Sequence, residues 1–259
     1  TVNPLIYCGK CHYCRLGQYV MCTKLGTAGF AWDGAFAEIG VFPEYGVLKL
    51  PDSVSDDAGA FVEPLAVAVH AVKRSRLKIG ASVAVVGAGP IGLLVMQACR
   101  AAGAGKIFVI EPLKGRRELA AKTGATAVFD PTQGDAGKAI GDLTDGLRAD
   151  WAFDCVGNQA SFDTAVKVTG RRAVLCVVGL SLKPIEVPFI RLWGHEKELV
   201  FSSGYEDEFP AAIQYLADGR VNVEPLITAR IKVDDLVDKG IKELIERGSD
   251  YVKILVYPK

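Results

Sequence analysis

One stretch, residues 82–112, constrains the fold of this 259-residue chain more than any other. It opens with a short β-branched apolar run, residues 82–86, which is typical of a buried parallel strand. Residues 87–92 then read G-x-G-x-x-G, an apolar helical stretch follows, and a second apolar run ends in Glu111. A strand before the glycines, a helix after them and an acid about 20 residues further on together predict a dinucleotide-binding βαβ unit.

This motif predicts the contacts of a dinucleotide. The glycines allow a tight turn and a close approach of the pyrophosphate, while the start of the helix offers N–H groups and a positive dipole. Glu111 is expected to accept hydrogen bonds from the adenosine ribose. The residues expected at the pyrophosphate turn are Gly87, Gly89, Pro90, Ile91 and Gly92.

Two other interpretations of this stretch remain. Residues 79–99 carry no charge and are long enough for a membrane span, although the glycines and the proline crowd their first half. The second alternative is a glycine-rich turn without a ligand.

Composition narrows the class of protein. The length favours two domains, and Lys plus Arg equals Asp plus Glu at 30 each, which predicts neither a nucleic-acid nor a membrane-surface partner. No targeting segment is visible, and we expect a cytoplasmic location where cysteines stay reduced. The chain opens without Met inside a predicted strand, residues 2–7, so we expect an N-terminal part to be absent from it.

Four of the seven cysteines lie close together in CGKCHYCRLGQYVMC, spaced C-x2-C-x2-C-x7-C. Four thiolates this close can surround one tetrahedral ion, and zinc prefers such a closed soft shell, which makes the site structural. An iron–sulfur cluster and two disulfides are the alternatives. His12 in this loop is interpreted as solvent-facing, and Cys99 and Cys176 as small buried hydrophobic residues. The candidate ligands are Cys8, Cys11, Cys14 and Cys22.

The remaining pattern predicts an α/β chain. Residues 34–42 and 45–50 are predicted as strands of a β-rich domain, and residues 56–73 as a helix. Six strands then follow, with helices between the first five, and this alternation predicts a doubly wound parallel sheet. The six are placed near residues 83–86, 107–110, 127–129, 151–155, 173–178 and 199–201. Helices at 208–217 and 233–247 and a strand at 252–256 complete the prediction.

Loops at the carboxyl ends of such strands bind ligands. The fourth strand closes with Cys155 and Val156, and the fifth with Val178 and Gly179, so these residues are expected to line the nicotinamide half of the cofactor. Glu63 is an acid in an apolar setting. It is either a carboxylate favoured by the start of a helix or a ligand of a metal. His70, on the apolar helix that follows, is interpreted as a core histidine.

In chain order, the cysteine lobe, VEPLAVAVH, VGAGPIG with its later acid, DCVG and VVG resemble the zinc-dependent medium-chain alcohol dehydrogenases. The closest resemblance is to the polyol, butanediol and threonine dehydrogenases. It implies a GroES-like catalytic domain, incomplete at its N-terminus, a Rossmann domain and an active site between them. The implied boundaries are residues 1–64 for the catalytic part, 65–200 for the NAD-binding domain and 201–259 for the return.

The resemblance also implies residue roles. The four cysteines match the structural zinc ligands, Glu63 matches the carboxylate at the catalytic zinc, and Phe201 joins Val156 and Val178 at the nicotinamide. The family's catalytic Cys, its Gly-His-Glu pair and its hydroxyl relay lie upstream of the cysteine lobe and have no match here. Residues 194–196 spell Gly-His-Glu beyond the fifth strand, and we interpret that as coincidence.

The implied activity is oxidation of a secondary alcohol, a vicinal diol or polyol, with NAD and zinc as cofactors. Threonine dehydrogenase is one alternative, and a truncated, inactive NAD-binding protein is another. We expect NAD over NADP because Glu111 repels a 2′-phosphate, although Arg116 or Arg117 could accommodate one. The resemblance implies a homo-oligomer, a dimer or tetramer. Because one carboxylate cannot hold a catalytic ion, this chain by itself is expected to bind NAD without turnover.

Overall fold

The computed structural model describes residues 1–258 and divides into two compact units. The first unit comprises Thr1–Ala66, Gly204–Gly219 and the chain from Val223 onward, and the second comprises Val67–Ser203 and Arg220–Asn222. Of residues 201–259, which the sequence predicts to return to the catalytic part, the second unit holds residues 201–203 and also residues 220–222. Their attachment is specific, because Gln97 exchanges two hydrogen bonds with the backbone of Asn222, at 2.8 and 3.1 Å.

The first unit begins with β1 (Leu5–Ile6) and β2 (Gly26–Thr27), which pair antiparallel around the short helix α1 (His12–Arg15). The strand predicted over residues 34–42 is wrong, because these residues are in neither a helix nor a strand. Residues 45–50 are also not a strand: Glu44–Gly46 is a 3₁₀ helix, and Val47 makes one bridge to Val2.

The helix predicted over residues 56–73 is two helices, α2 (Asp56–Gly59) and α3 (Val62–Ser75). The Ser55 side chain accepts a hydrogen bond from Ala58 N and caps the start of α2. Phe61 N then donates to Ala58 O in a tight i−3 turn, and Leu65 N donates to Phe61 O as the next helix starts. The break places Glu63 in the first turn of α3.

The second unit confirms the doubly wound sheet. Six parallel strands lie in the order β5-β4-β3-β6-β7-β8, and the order reverses beside the first strand of the unit. The strands are β3 (Val83–Val86), β4 (Ile107–Ile110), β5 (Ala127–Phe129), β6 (Ala149–Asp154), β7 (Thr169–Val177) and β8 (Glu198–Phe201). The helices are α4 (Pro90–Ala101), α5 (Lys114–Lys122), α6 (Ala136–Asp142), α7 (Gln159–Val168) and α8 (Phe189–Gly194).

Burial explains why these strands were visible in the sequence. Every residue of β3 and β4 is buried, as expected for strands covered on both faces by helices. Cys99 on α4 and Cys176 on β7 are fully buried, as the sequence predicts, and His70 on α3 is 4% exposed. The reversal of strand order places a ligand crevice at the carboxyl ends of β3 and β6.

The chain ends with α9 (Phe209–Ala217), β9 (Ile227–Lys232), α10 (Lys242–Arg247) and β10 (Lys253–Tyr257). Strand β9, which the sequence analysis missed, pairs parallel with β10. The helix predicted over residues 233–247 is three pieces: a 3₁₀ turn, a π-helical segment Leu236–Ile241 and α10. Across the described part of the chain, none of the helices is both long enough and apolar enough to span a bilayer.

Candidate cofactor site, cysteine lobe and Glu63 cavity

The glycine turn between β3 and α4 has no room for a side chain at Gly87 or at Gly92. Gly87 has φ +92°, and a Cβ there would lie 2.5 Å from Cγ2 of Val156. A Cβ on Gly92 would lie 1.9 Å from the carbonyl oxygen of Gly87. Gly89 precedes the first turn of α4, with Pro90 as the first residue of the helix and no side chain capping it. The helix start is therefore uncovered, as an approaching anion requires.

Glu111 follows β4 and is 4% exposed. Its two carboxylate oxygens accept backbone N–H bonds, one from Ala88 and one from Leu113, each at 2.8 Å. The bond from Ala88 ties the acid directly to the glycine turn, and each oxygen keeps a second lone pair for a ligand. Gly87 and Glu111 line one cavity of about 680 Å³ in the second unit, and Ile110, Pro131 and Asn158 are among its other residues.

The two arginines on α5 have different surroundings. Arg116 lines this cavity, and its Nη1 lies 3.9 Å from where a Cβ of Gly89 would be. Arg117 instead donates to the carbonyl oxygen of Glu111 at 2.7 Å and forms an ion pair with Asp130 at 3.0 Å. Of these two, Arg116 is therefore the cation placed to meet a cofactor phosphate.

The residues expected at the nicotinamide lie at the carboxyl ends of β6, β7 and β8. Cys155 approaches the glycine turn, since its Cβ is 3.5 Å from a Cβ built on Gly92, and burial raises the pKa of its thiol. The backbone N–H groups of Val178 and Gly179 both donate to the carbonyl oxygen of Asp154 at 2.9 Å. Phe201 ends β8 and is 64% exposed.

Asp154 organises this edge, and the sequence analysis gave it no role. Its Oδ1 accepts from Val156 N at 3.0 Å and Gly157 N at 3.1 Å, and its Oδ2 accepts from the Ser161 hydroxyl at 3.1 Å. The side chain is 2% exposed. A buried carboxylate with three donors fixes the loop that carries Val156.

Replacing Asp154 with Ala is expected to destabilise the fold by about 3 kcal/mol, because buried donors lose a charged acceptor. It should also weaken NAD binding, since the loop no longer holds its position. Urea unfolding and NAD titration measure the two effects. Asp150→Ala is the matched control. Asp150 accepts two hydrogen bonds, both from Ser82, but it is exposed and lies at the start of β6 whereas Asp154 ends that strand. Equal losses for both variants would contradict this role.

In the cysteine lobe of the first unit, the four candidate sulfur ligands lie within 4.8 Å of one another. Cys11 Sγ is 3.5 Å from Cys14 Sγ, and Cys8 Sγ is 4.0 Å from the same atom. Zinc–sulfur bonds of about 2.3 Å in a tetrahedron place sulfurs about 3.8 Å apart, so these residues fit a zinc ion. His12 is exposed in the same loop, as expected.

Backbone N–H groups also favour thiolates in this lobe. Cys11 N donates to Cys8 Sγ at 3.4 Å, while Cys8 N and Lys24 N donate to Cys22 Sγ at 3.3 Å. A hydrogen bond from the backbone at Cys14 is the main cause that lowers the pKa of Cys11 to about 6, whereas burial raises the pKa of Cys14 to about 12. A dication would allow all four sulfurs to ionise.

Glu63, in the first turn of α3, lines a second cavity of about 870 Å³ within the first unit, together with Asp56, Asp57 and Lys253. Burial raises the pKa of its carboxyl group, while a hydrogen bond from Tyr205 and the charge of Lys253 oppose the increase. Tyr205 is 2% exposed, and no local pattern in the sequence pointed to it.

Glu63 does not complete a metal site with the residues present. Within residues 1–258, the cysteine lobe is the one place where three or more potential ligand side chains converge. A catalytic zinc takes three protein ligands and an open position, and Glu63 supplies one carboxylate. In this chain the Glu63 carboxylate is held by the hydrogen bond from Tyr205 and by the charge of Lys253.

Comparisons with known proteins agree with this geometry. Residues 90–218 match the zinc-binding dehydrogenase family, and residues 1–52 match the alcohol dehydrogenase GroES-like domain. The chain is 33% identical over 264 residues to sorbitol dehydrogenase of Bacillus subtilis (strain 168), which covers 100% of this chain and 73% of that enzyme.

Solved structures give the same result. The 2R,3R-butanediol dehydrogenase of Bacillus subtilis is 34% identical, with a TM-score of 0.91 over 100% of this chain and 73% of that one. A zinc-binding dehydrogenase of Sinorhizobium meliloti 1021 bound to NADP is 30% identical, with a TM-score of 0.92 over 100% of this chain and 76% of that one.

A doubly wound sheet with a dinucleotide turn, together with a GroES-like part, defines the class of nicotinamide-dependent oxidoreductases. More particularly, the chain belongs to the zinc-dependent medium-chain alcohol dehydrogenase family, in the branch that contains the polyol and butanediol dehydrogenases. The fold and family expected from the sequence are both confirmed.

Proposed function

We propose that this protein, when its set of catalytic zinc ligands is complete, oxidises a vicinal diol or polyol to the corresponding ketone with NAD. The observation that carries the cofactor assignment is Glu111, whose buried carboxylate is held by Ala88 and Leu113 at the wall of the cavity beside the glycine turn. The similarity to sorbitol and butanediol dehydrogenases supports the substrate class. NAD, when bound, supplies the ring that accepts the hydride.

Each proposed contact follows from the position of the residue in the second unit. Gly87, Gly89 and Gly92, with Pro90 and Ile91, receive the pyrophosphate, and Glu111 accepts hydrogen bonds from the ribose. Arg116, which lines the cavity close to Gly89, binds the phosphates. The residues that pack against the nicotinamide end are Cys155, Val156, Val178, Gly179 and Phe201.

The cysteine lobe is proposed to hold a structural zinc through Cys8, Cys11, Cys14 and Cys22, on the basis of the sulfur distances. Glu63 is proposed to contribute one carboxylate to a second, catalytic zinc, directly or through its water. The hydrogen bond from Tyr205 supports this, because it fixes the orientation of the carboxylate. The alternative for Glu63 is a carboxylate that stabilises the start of α3.

The substrate assignment is tested in protein that carries a complete set of catalytic zinc ligands, because the residues described here supply only Glu63. The panel is sorbitol, xylitol, 2,3-butanediol and L-threonine, each with NAD and with NADP. We expect the highest kcat/KM for a polyol or the diol with NAD. Threonine as the best substrate would replace this proposal by the threonine dehydrogenase alternative. Absence of turnover with every alcohol, while NAD still binds, would overturn it in favour of a catalytically inactive nucleotide-binding protein.

The Glu63 assignment is tested in the same assay with Glu63→Gln and Tyr205→Phe, which should reduce turnover while the lobe zinc stays bound. Tyr251→Phe is the matched control, because it also removes a tyrosine-to-glutamate hydrogen bond, to Glu243, at 2.9 Å. Unchanged zinc content and unchanged turnover in Glu63→Gln would leave Glu63 with the helix-start role alone.

A further inference from the structure

Cations converge at the amino-terminal edge of β6, β7 and β8, opposite the edge that carries the cofactor cavity. Arg148 precedes β6, Arg171 and Arg172 lie in the first part of β7, and Lys197 precedes β8. Arg191 lies on α8, and His195 follows that helix. Chain positions from 148 to 197 thus contribute to one charged surface, here called the cationic edge.

Two of these cations are fixed by carbonyl groups at the end of α7. Lys197 Nζ donates to Val166 O at 2.8 Å, to Thr169 O at 3.0 Å and to Thr169 Oγ1 at 2.9 Å. Arg148 Nη1 donates to Lys167 O at 2.8 Å. All three ammonium protons of Lys197 are used, so it contributes charge to the edge while leaving its anchoring bonds intact.

His195 lies among these charges with an unused ring nitrogen. Its backbone oxygen accepts a bond from Arg172 N at 2.7 Å, which fixes the residue beside β7. Its Nδ1 is buried and has no hydrogen-bond partner among the described residues. Burial is the first cause that lowers the pKa of His195, and the charges of Arg171, Lys197, Arg191 and Arg148 follow.

The guanidinium groups of Arg171 and Arg191 are exposed, and neither has an acidic partner within residues 1–258. Glu196 pairs with Arg172 at 3.5 Å. Arg148 at φ +66°, Arg172 at +57° and Glu196 at +48° have left-handed backbones that cost free energy in non-glycine residues. The cationic edge therefore brings together like charges with donors still available.

We propose that the cationic edge binds a tetrahedral dianion of the phosphate class, held by the exposed guanidinium groups of Arg171 and Arg191 beside His195. The anion accepts bonds from planar guanidinium groups, whose fork geometry matches phosphate oxygens. Arg148 and Lys197, held by carbonyl groups at the end of α7, add positive charge. The negative charge of the bound anion stabilises the protonated imidazole, so the pKa of His195 rises in the complex.

The test uses the protein saturated with NAD, so that phosphate cannot enter the glycine turn. The chain has three histidines, and the imidazole NMR signal of His195 is assigned by its loss in His195→Gln. Inorganic phosphate at constant ionic strength should shift this signal saturably. Sulfate, which stays a dianion, should raise the pKa measured for it. Arg171→Gln and Arg191→Gln should each weaken phosphate binding about tenfold.

Lys122→Gln is the control. It removes an exposed charge from α5, which connects β4 and β5 on the side of the sheet away from β8, and this variant should bind phosphate as the wild type does. Tighter binding of inorganic phosphate than of glycerol 3-phosphate would identify a free anion, and the reverse would identify a phosphomonoester. Either result supports the site. No shift of the His195 signal, an equal shift with chloride, or unchanged affinity in both arginine variants would overturn it. NAD affinity in these variants should match the wild type.

Discussion

Replacing Cys11 with serine is expected to reduce the zinc held by the cysteine lobe from about one ion per chain towards none. A four-thiolate site is closed, and loss of one ligand removes a soft donor that a hydroxyl does not replace. Structural zinc in small peptides supplies roughly 10–16 kcal/mol of folding free energy, so the lobe should loosen markedly. Elemental analysis of protein kept under reducing conditions and limited proteolysis measure the two effects.

The lobe has little else to stabilise it. Between Cys8 and Cys22 its regular structure is the four-residue helix α1 and a 3₁₀ turn, and Cys14 is the buried residue of that helix. NAD binding should stay nearly intact, because the glycine turn is in the other unit. His12→Gln is the control within the same loop and should keep full zinc. Iron in the wild-type protein, or no metal after reducing purification, would contradict a zinc site.

The wild-type protein is expected to bind NAD roughly a hundredfold more tightly than NADP. A 2′-phosphate would meet the anchored carboxylate of Glu111, and a like-charge contact of that kind costs several kcal/mol, with every 1.4 kcal/mol worth tenfold in affinity. Glu111→Ser should remove most of this preference, because Arg116 remains at the cavity. Titration with both cofactors gives the affinity ratio, in which a general loss of fit cancels.

Glu118→Gln is the control for this prediction, since Glu118 is an acid of α5 whose partner is Lys114, at 3.8 Å. It should leave the ratio unchanged. Adding Arg116→Ala to Glu111→Ser should then weaken NADP more than NAD. Equal or tighter NADP affinity in the wild type would contradict the role of Glu111, and the NADP complex of the Sinorhizobium meliloti relative makes this a necessary measurement.

The fold of the second unit was predictable from the sequence because its signals are local. Strands such as β3 and β4 are buried on both faces, so each is a continuous apolar run, and the turn between β3 and α4 needs glycine at fixed positions. The cysteine lobe was predictable for a similar reason, since its four sulfurs are close in the sequence and a short chain cannot separate them far.

The first unit was harder to predict because alternation alone does not make a strand. Residues 34–42 alternate as a strand would, yet Phe36, Ile39 and Val41 are largely exposed and no described residue pairs with them in a sheet. A strand needs a partner for its backbone hydrogen bonds, and that partner is supplied by tertiary structure. Strand β9, which the sequence did not predict, has such a partner, because β10 pairs with it.

The anchoring of the site residues was decided by tertiary structure alone. The motif predicted that Glu111 accepts hydrogen bonds from the ribose. It did not predict that the backbone N–H groups of Ala88 and Leu113 bind its two carboxylate oxygens. Tyr205 donates a hydrogen bond to Glu63, and the charge of Arg148 acts on His195 and Lys197, across long stretches of chain. Sequence patterns determine which residues share a face of one element, whereas contacts between distant segments depend on how the elements pack.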